Sequence, residues 1–328
     1  MRARIVDIAG VGLNATDTLI ELSRFPASGS KMPLLSLRTL PGGQTATAIV
    51  ACAKWGLRTR YVGRIGDDAA ERMHREELAR AGVESHLIRV RDCPSPQSFI
   101  LVERQSGERT ILWKRDPRLA LRRGDLRRGW ITSARLLQVD GHDAGAAAVA
   151  ARWARSAGVP VCADLDTVYP GLPRLLRFVD YPVTSREFPV RLTGEKDPLR
   201  GLPHLFARYR FRLVCCTMGR DGALAWDGTR FWYAPSYRVR AVDTTGAGDL
   251  FHAGFAFGVL KGWDWQRVLE FSCAAAALNC TALGARGGIR PLREIERLRT
   301  AGRRNPPAFS ARELAQAARA RQEHRGHR

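Results

Sequence analysis

Residues 241–260, AVDTTGAGDLFHAGFAFGVL, concentrate the residue types that handle a phosphoryl group. Asp243, Thr244 and Thr245 lead into Gly246, Ala247 and Gly248, and Asp249 then opens an apolar run. Small residues let the backbone come close to a ligand, and the first-turn amides of a helix starting near Asp249 make an anion hole. A carboxylate at that point can take the proton of an attacking hydroxyl while the amides hold the charge developing on the phosphoryl oxygens. A strand ending near Val242 is expected to feed the turn. A bland strand–helix connection also favours Gly and an Asp cap, so taken alone this stretch leaves a structural reading open.

A second glycine signature lies some 200 residues earlier, in LPGGQTATAIVACAKWG. Gly42 and Gly43 end one apolar run and open a helical one, a geometry that exposes backbone amides to substrate hydroxyls. Between the two signatures, GRIGDD precedes a helical stretch ending LARAGV, and VCCTMGRDGALAW sets Thr217, Gly219 and Gly222 around a turn after a strand. Other nucleotide motifs are missing: no GxxxxGK[ST] loop, no HRD and DFG pair, and no complete GxGxxG, because the GVG at 10–12 lacks its third glycine.

In this order and spacing the motifs resemble the ribokinase-like (PfkB-type) carbohydrate kinases, whose DTxGAGD signature is matched at each fixed position, and the resemblance runs over about residues 5–292. It implies ATP-dependent phosphorylation of a small carbohydrate hydroxyl, with Asp249 as the base, Gly246, Ala247 and Gly248 as the anion hole, and Mg²⁺ bridging the ATP phosphates. By the same resemblance Asp17, Gly42, Gly43 and Thr47 bind the acceptor, and Thr217, Gly219, Gly222, Gly246, Gly248 and Asn279 bind the nucleotide. Asp243 and Thr245 fall where some members hold K⁺, and Glu187 where others organise Mg²⁺. The chain departs from the family in having Thr47 where many members carry Asn, and Ser185 within TSREF where ribokinases carry NxxE. With GGQTATA and ALNCTALGARGGI, these departures look nearest the ketohexokinase and sulfofructose-kinase branch, which phosphorylates primary hydroxyls of keto-sugars. Trp113 and Asp140 stand where that resemblance would place sulfonate-binding groups, which disfavours a sulfonate acceptor.

Positioning these residues requires an alternation of strands and helices, and the chain supplies one: RIVDIAGVG, ATAIVACAKWG, TRYVGRIG and ERMHREELARAG, resuming with ARLLQVDG, AAAVAARWARSAG, VPVCADLD and FRLVCCTMG. That rhythm predicts a three-layer α/β/α sandwich around a mostly parallel sheet, with ligands beyond the strand C-termini. Residues 18–40 and 97–114 break the rhythm with period-2 alternation around Gly-containing turns and are expected to form a small antiparallel β-lid. Residues 1–300 read as one kinase domain and 301–328 as a basic tail, partly helical behind Ser310 and frayed at its end.

The 328 residues, 45% of them hydrophobic, suffice for a large core. No apolar run is long enough to span a membrane and no signal peptide is evident, so a cytoplasmic protein is expected. Seven scattered cysteines read as buried thiols, and neither they nor the seven histidines show metal-ligand spacing. The net charge of +21 is spread along the chain without interleaved aromatics, which argues for anionic small ligands over specific nucleic-acid binding.

Several residues keep two readings. Asp140, His142, Asp143, Asp164 and Asp166 end strands on the ligand edge and either read sugar hydroxyls or make solvated turns; His252 is a packed helix residue or a second base. Asn279 and Cys280 line an adenine pocket or belong to an Ala-rich helix. Trp113 and Phe99 on the lid keep a nucleoside acceptor open, and Lys31, Arg38 and Arg115 an anionic one. A catalytically idle binding or regulatory protein is the remaining alternative, and the lid implies a possible homodimer through the resemblance.

Overall fold

The computed structural model describes residues 6–326, with side chains to 321, and the expected fraying at the very end of the tail falls outside the described part. The first strand, β1 (Val6–Val11), leads into β2 (Ala15–Leu22) and β3 (Ser36–Gly42), followed by α1 (Gln44–Lys54), β4 (Thr59–Ile65), α2 (Ala69–Arg80) and β5 (Glu84–Arg89). Next come β6 (Gln97–Glu103), β7 (Arg109–Lys114), α3 (Arg128–Thr132), β8 (Ala134–Asp140), α4 (Ala144–Ser156), β9 (Val161–Leu165), α5 (Leu172–Leu176) and β10 (Tyr181–Ser185). The chain continues through α6 (Glu187–Thr193), α7 (Pro198–Tyr209), β11 (Val214–Thr217), β12 (Ala223–Trp226) and β13 (Phe231–Ala234). It closes with α8 (Ala247–Lys261), α9 (Trp265–Asn279), α10 (Leu292–Ala301) and α11 (Ala311–Gly326).

Nine strands form the main sheet in the order β13-β12-β11-β10-β9-β8-β1-β4-β5, parallel from β11 to β5 and antiparallel at the β12 and β13 edge. Strands covered on both faces run largely apolar, and VCADL of β9 is buried at every position, with Asp164 near its C-terminal end as the one charged residue. One core lies between the sheet and α1, α8 and α9, through side chains such as Ile49, Phe255 and Phe271; the other lies beneath α4, α5 and α7, through Leu172, Leu205 and Trp226. The three layers expected from the β–α rhythm are therefore present.

Sheet order reverses at β1, which has β4 on one side and β8 on the other. This leaves a crevice at the strand C-termini, the usual ligand position in such sheets. The second sheet, β3-β2-β6-β7, projects from the first. Its β2–β3 and β6–β7 pairs are antiparallel as expected, but the central β2–β6 pair is parallel. Two hairpin-like pairs from separate stretches meet side by side, which period-2 alternation alone does not orient.

The register gives this lid two faces. Asp17, Ser98 and Trp113 share one cross-strand row, and Leu19, Ile100 and Ile111 share the next, so these residues stand on the same face. The opposite face carries Leu37, Phe99 and Leu112, all exposed.

No strand forms at Val242, contrary to expectation. The amides of Val242 and Asp243 donate to the Cys280 carbonyl at 2.7 and 3.3 Å instead of to a sheet neighbour, and the chain reaches α8 as an irregular segment. Beyond α10, Ser310 caps α11 in a reciprocal box with Glu313, at 3.2 Å from hydroxyl to amide. Ala318 of α11 is buried in the same core as Leu205, with Phe309 and Leu314 beside it. Ala318→Asp should therefore destabilise the fold by about 1–3 kcal/mol, read as a lower urea midpoint, while leaving the crevice at the strand C-termini unaffected.

Candidate active site

A cavity of about 1590 Å³ opens along the strand C-termini beneath the lid. Single-ligand pockets run to roughly 300–1,000 Å³, so this one has room for two ligands side by side. Asp17 of β2, Gly43 and Gln44 stand at one end, the end expected to take the acceptor, while Thr217, Gly219 and Gly222 stand at the other. The turn Thr245-Gly246-Ala247-Gly248 with Asp249 lies between them.

Gly43 caps α1 at φ 93°, and a Cβ there would come within 2.4 Å of the Asn14 backbone. Gly246 caps α8 at φ 73°, where a Cβ would reach the Ala285 backbone at 2.4 Å. Only glycine fits either position. The amides at the start of α8 have no carbonyl behind them within the helix, and the helix dipole adds to their pull on an anion.

Asp249 sits in the first turn of α8. Burial pushes its carboxyl well above the ordinary carboxylate range; the nearby charges of Asp164, Asp17 and Asp166 add to this and Arg109 opposes it. Burial likewise raises Asp17 to about 6, although Arg286 and a hydrogen bond from Ser98 pull the other way. Both groups gain proton affinity on folding.

The sequence-level candidates divide cleanly on the structure. Asp17, Gly43, Thr217, Gly219, Gly222, Thr245, Gly246, Ala247, Gly248 and Asp249 line the cavity. Thr47 does not: it is fully buried, and its hydroxyl accepts from Arg286 Nε at 3.1 Å. Gly42 contributes through its carbonyl, which accepts from Arg286 Nη2 at 2.8 Å. Asn279 is a clamp rather than a nucleotide contact. Its Nδ2 donates to the Thr245 and Ala285 carbonyls at 2.9 and 3.2 Å, and its Oδ1 accepts from Gly288 N at 3.1 Å. The adjacent Cys280 does reach the cavity, with Cys273, Ala276 and Ala277 of α9 as an apolar wall.

Asp243 is buried, and its two oxygens accept from Thr245 N and Gly284 N, each at 2.8 Å, while the buried Thr245 hydroxyl has no protein partner. Glu187 begins α6 exposed and outside the cavity, so the carboxylate expected near the phosphates is not brought there.

Among the residues left with two readings, Asp140 is structural. Its carboxylate accepts from Leu13 N and Thr45 Oγ1 at 2.7 Å, closing the sheet's switch point. Asp143 grips Arg115 through two bonds of 2.9 and 2.6 Å, which neutralises the candidate cation that lines the cavity, and Lys31 and Arg38 lie on the surface outside it. His142 lines the cavity between Tyr169 and Trp113, with ring centroids 4.7 and 6.4 Å away. Trp113 thus faces the acceptor end while Phe99 points outward. Asp164, Asp166 and His252 also line the cavity, with His252 Nε2 3.1 Å from Asp164 Oδ1.

Sequence reasoning missed Arg286 and Arg109. Arg286 is buried among Gly42, Thr47 and Glu77, with which it forms an ion pair, and burial lowers its own pKa to about 10. Arg109 of β7 hydrogen-bonds the Thr244 hydroxyl, tying the lid to the phosphate turn. Both sit in stretches rich in arginine, so residue type gave no signal.

The profile of the pfkB family carbohydrate kinases matches residues 14–291. An ATP-dependent ribose-1-phosphate kinase of Halopiger xanaduensis is 28% identical, covering 86% of this chain and 94% of the relative. A nucleoside kinase of Methanothermobacter thermautotrophicus is 27% identical over 83% of this chain and 88% of its own length. The crystal structure of a candidate ribokinase from Agrobacterium tumefaciens superposes with a TM-score of 0.83 at 27% identity, covering 90% of this chain and 97% of that one. The chain belongs to the pfkB family of carbohydrate kinases: it is a phosphotransferase acting on an alcohol group of a sugar.

The raised acids carry a stability signature. A group whose folded pKa lies above its unfolded value favours the fold below the unfolded pKa and loses that contribution as pH rises through the folded one. For Asp17 the window runs from about pH 4 to above 6. Asp17→Asn should raise the Tm relative to wild type at pH 8, and the gain should vanish near pH 4, measured by differential scanning fluorimetry across pH.

Proposed function

We propose that the chain transfers the γ-phosphoryl group of ATP to a primary hydroxyl of a small carbohydrate, with Asp249 as general base. The observation that carries this is the placement of Asp249 and the α8 amides between the Asp17 end of the cavity and the apolar wall of α9. The acceptor hydroxyl gives its proton to Asp249 as its oxygen bonds to the γ-phosphorus, and the bond from that phosphorus to the departing ADP oxygen breaks. The turn 246–248 holds the transferring oxygens, Thr217, Gly219 and Gly222 cradle the nucleotide, and Asp17 with the amides at Gly43 orients the acceptor.

Mg²⁺, carried in with the ATP phosphates, supplies charge neutralisation. A monovalent cation such as K⁺ fits the buried, unpartnered Thr245 hydroxyl beside Asp243, where it would steady the turn. Thr47 gives no support to a keto-sugar over an aldo-sugar acceptor, because its hydroxyl is committed to Arg286. A nucleoside acceptor is the second reading, favoured by Trp113 on the cavity face against His142. An idle binding protein is the weaker alternative, since the anion turn and Asp249 are complete.

Asp249→Asn keeps the side-chain shape and removes the base. It should cut turnover by about a thousandfold or more while ATP affinity stays within a few-fold, measured by coupled ADP release and by calorimetry. Activity within tenfold of wild type rejects the assignment. A panel of keto-sugars, aldo-sugars and nucleosides, read by product analysis, separates the acceptor readings, and failure of wild type on every acceptor rejects the kinase.

The outer lid face, with Leu112 56% and Leu37 59% exposed, fits a homodimer through the lid. Wild type should then run as a dimer by light scattering and Leu112→Glu as a monomer; a monomeric wild type rejects it.

A further inference from the structure

His252 lies three residues beyond Asp249 on α8, so the two side chains share a helix face. Its Nε2 meets Asp164 Oδ1 at 3.1 Å, with both side chains more than nine-tenths buried. The same Asp164 oxygen accepts from Gln44 Nε2 at 3.3 Å. A carboxylate only accepts, so the Gln44 amide nitrogen must face Asp164, and Gln44 Oε1 is left buried without a partner beside the acceptor end of the cavity. One carboxylate from the end of β9 thus links the start of α1 to the helix that carries the base.

Resting on the kinase reading above, we propose that Asp164 and His252 form a positioning pair for the reaction: they fix a negative charge beside Asp249 and hold Gln44 toward the acceptor. The alternative of a purely structural buried pair is weakened by its place, because both residues line the catalytic cavity. The charged and titratable groups that face Asp249 are Asp17 from β2, Arg109 from β7, Asp164 and Asp166 from the β9 end, and His252 on its own helix. Of the neighbouring charges, Asp164 acts on Asp249 most strongly. Donation from His252 tempers that charge, so the two partners act in opposite senses on the base.

Opposite senses give the test. Asp164→Asn removes the charge, and the acid limb of the kcat/KM–pH profile should move down by about one pH unit, with acceptor KM raised several-fold and ATP KM held. His252→Phe removes the donor and should move the limb up, while His252→Gln, which keeps an N–H of similar reach, should restore the wild-type profile. Unmoved limbs, or shifts of the same sign in both variants, overturn the proposal; if Asp164→Asn fails to fold, the His252→Phe and His252→Gln pair decides alone. The carbon-13 titration of the Asp249 carboxyl in the ligand-free protein reads the same shifts without turnover. It keeps this inference testable even if the kinase reading fails with wild type inactive on every acceptor.

Discussion

A guanidinium sealed from water has to be matched on every side, and Arg286 is matched by groups that belong to different parts of the site. It takes the Gly42 carbonyl, the Thr47 hydroxyl and the Glu77 carboxylate, so the loop at 284–288 is sewn to the acceptor loop. Asn279 and Asp243 sew the same loop to the phosphate turn through Thr245, Ala285, Gly288 and Gly284. The start of α1 and the start of α8 are therefore both referenced to one short loop. Losing any one of these bonds would leave a buried polar group unpaired, which explains why the geometry is held tightly.

The carboxylates gathered above that loop work against folding. Burial and mutual repulsion raise Asp17, Asp166 and Asp249, and a raised acid is one the fold would prefer to keep protonated. The large cores on both sheet faces make this tolerable. The same burial and repulsion give Asp249 its raised affinity for a proton.

The three layers, the lid strands and the phosphate turn were legible because each is written locally, as a period, a turn residue or a run of small residues. The direction of the central lid pair was not, because β2 and β6 are joined by residues far apart in the chain. Thr47 and Asn279 carry side chains that suit a ligand, yet both spend them on backbone and side-chain partners brought in by distant segments. Arg286 illustrates the converse: among 53 basic residues, nothing in its neighbours marks it as one that is buried.

The Arg286 bond to Gly42 closes a loop of 244 positions. Most of the chain must be synthesised before the two glycine signatures can be held together, although β1 and the lid strands have their own strand partners within residues 6–140. Contacts of such separation slow folding and leave the nascent sheet edges exposed meanwhile. The turn at 243–248 therefore takes its final geometry only once the segment at 279–288 that bonds it has been added.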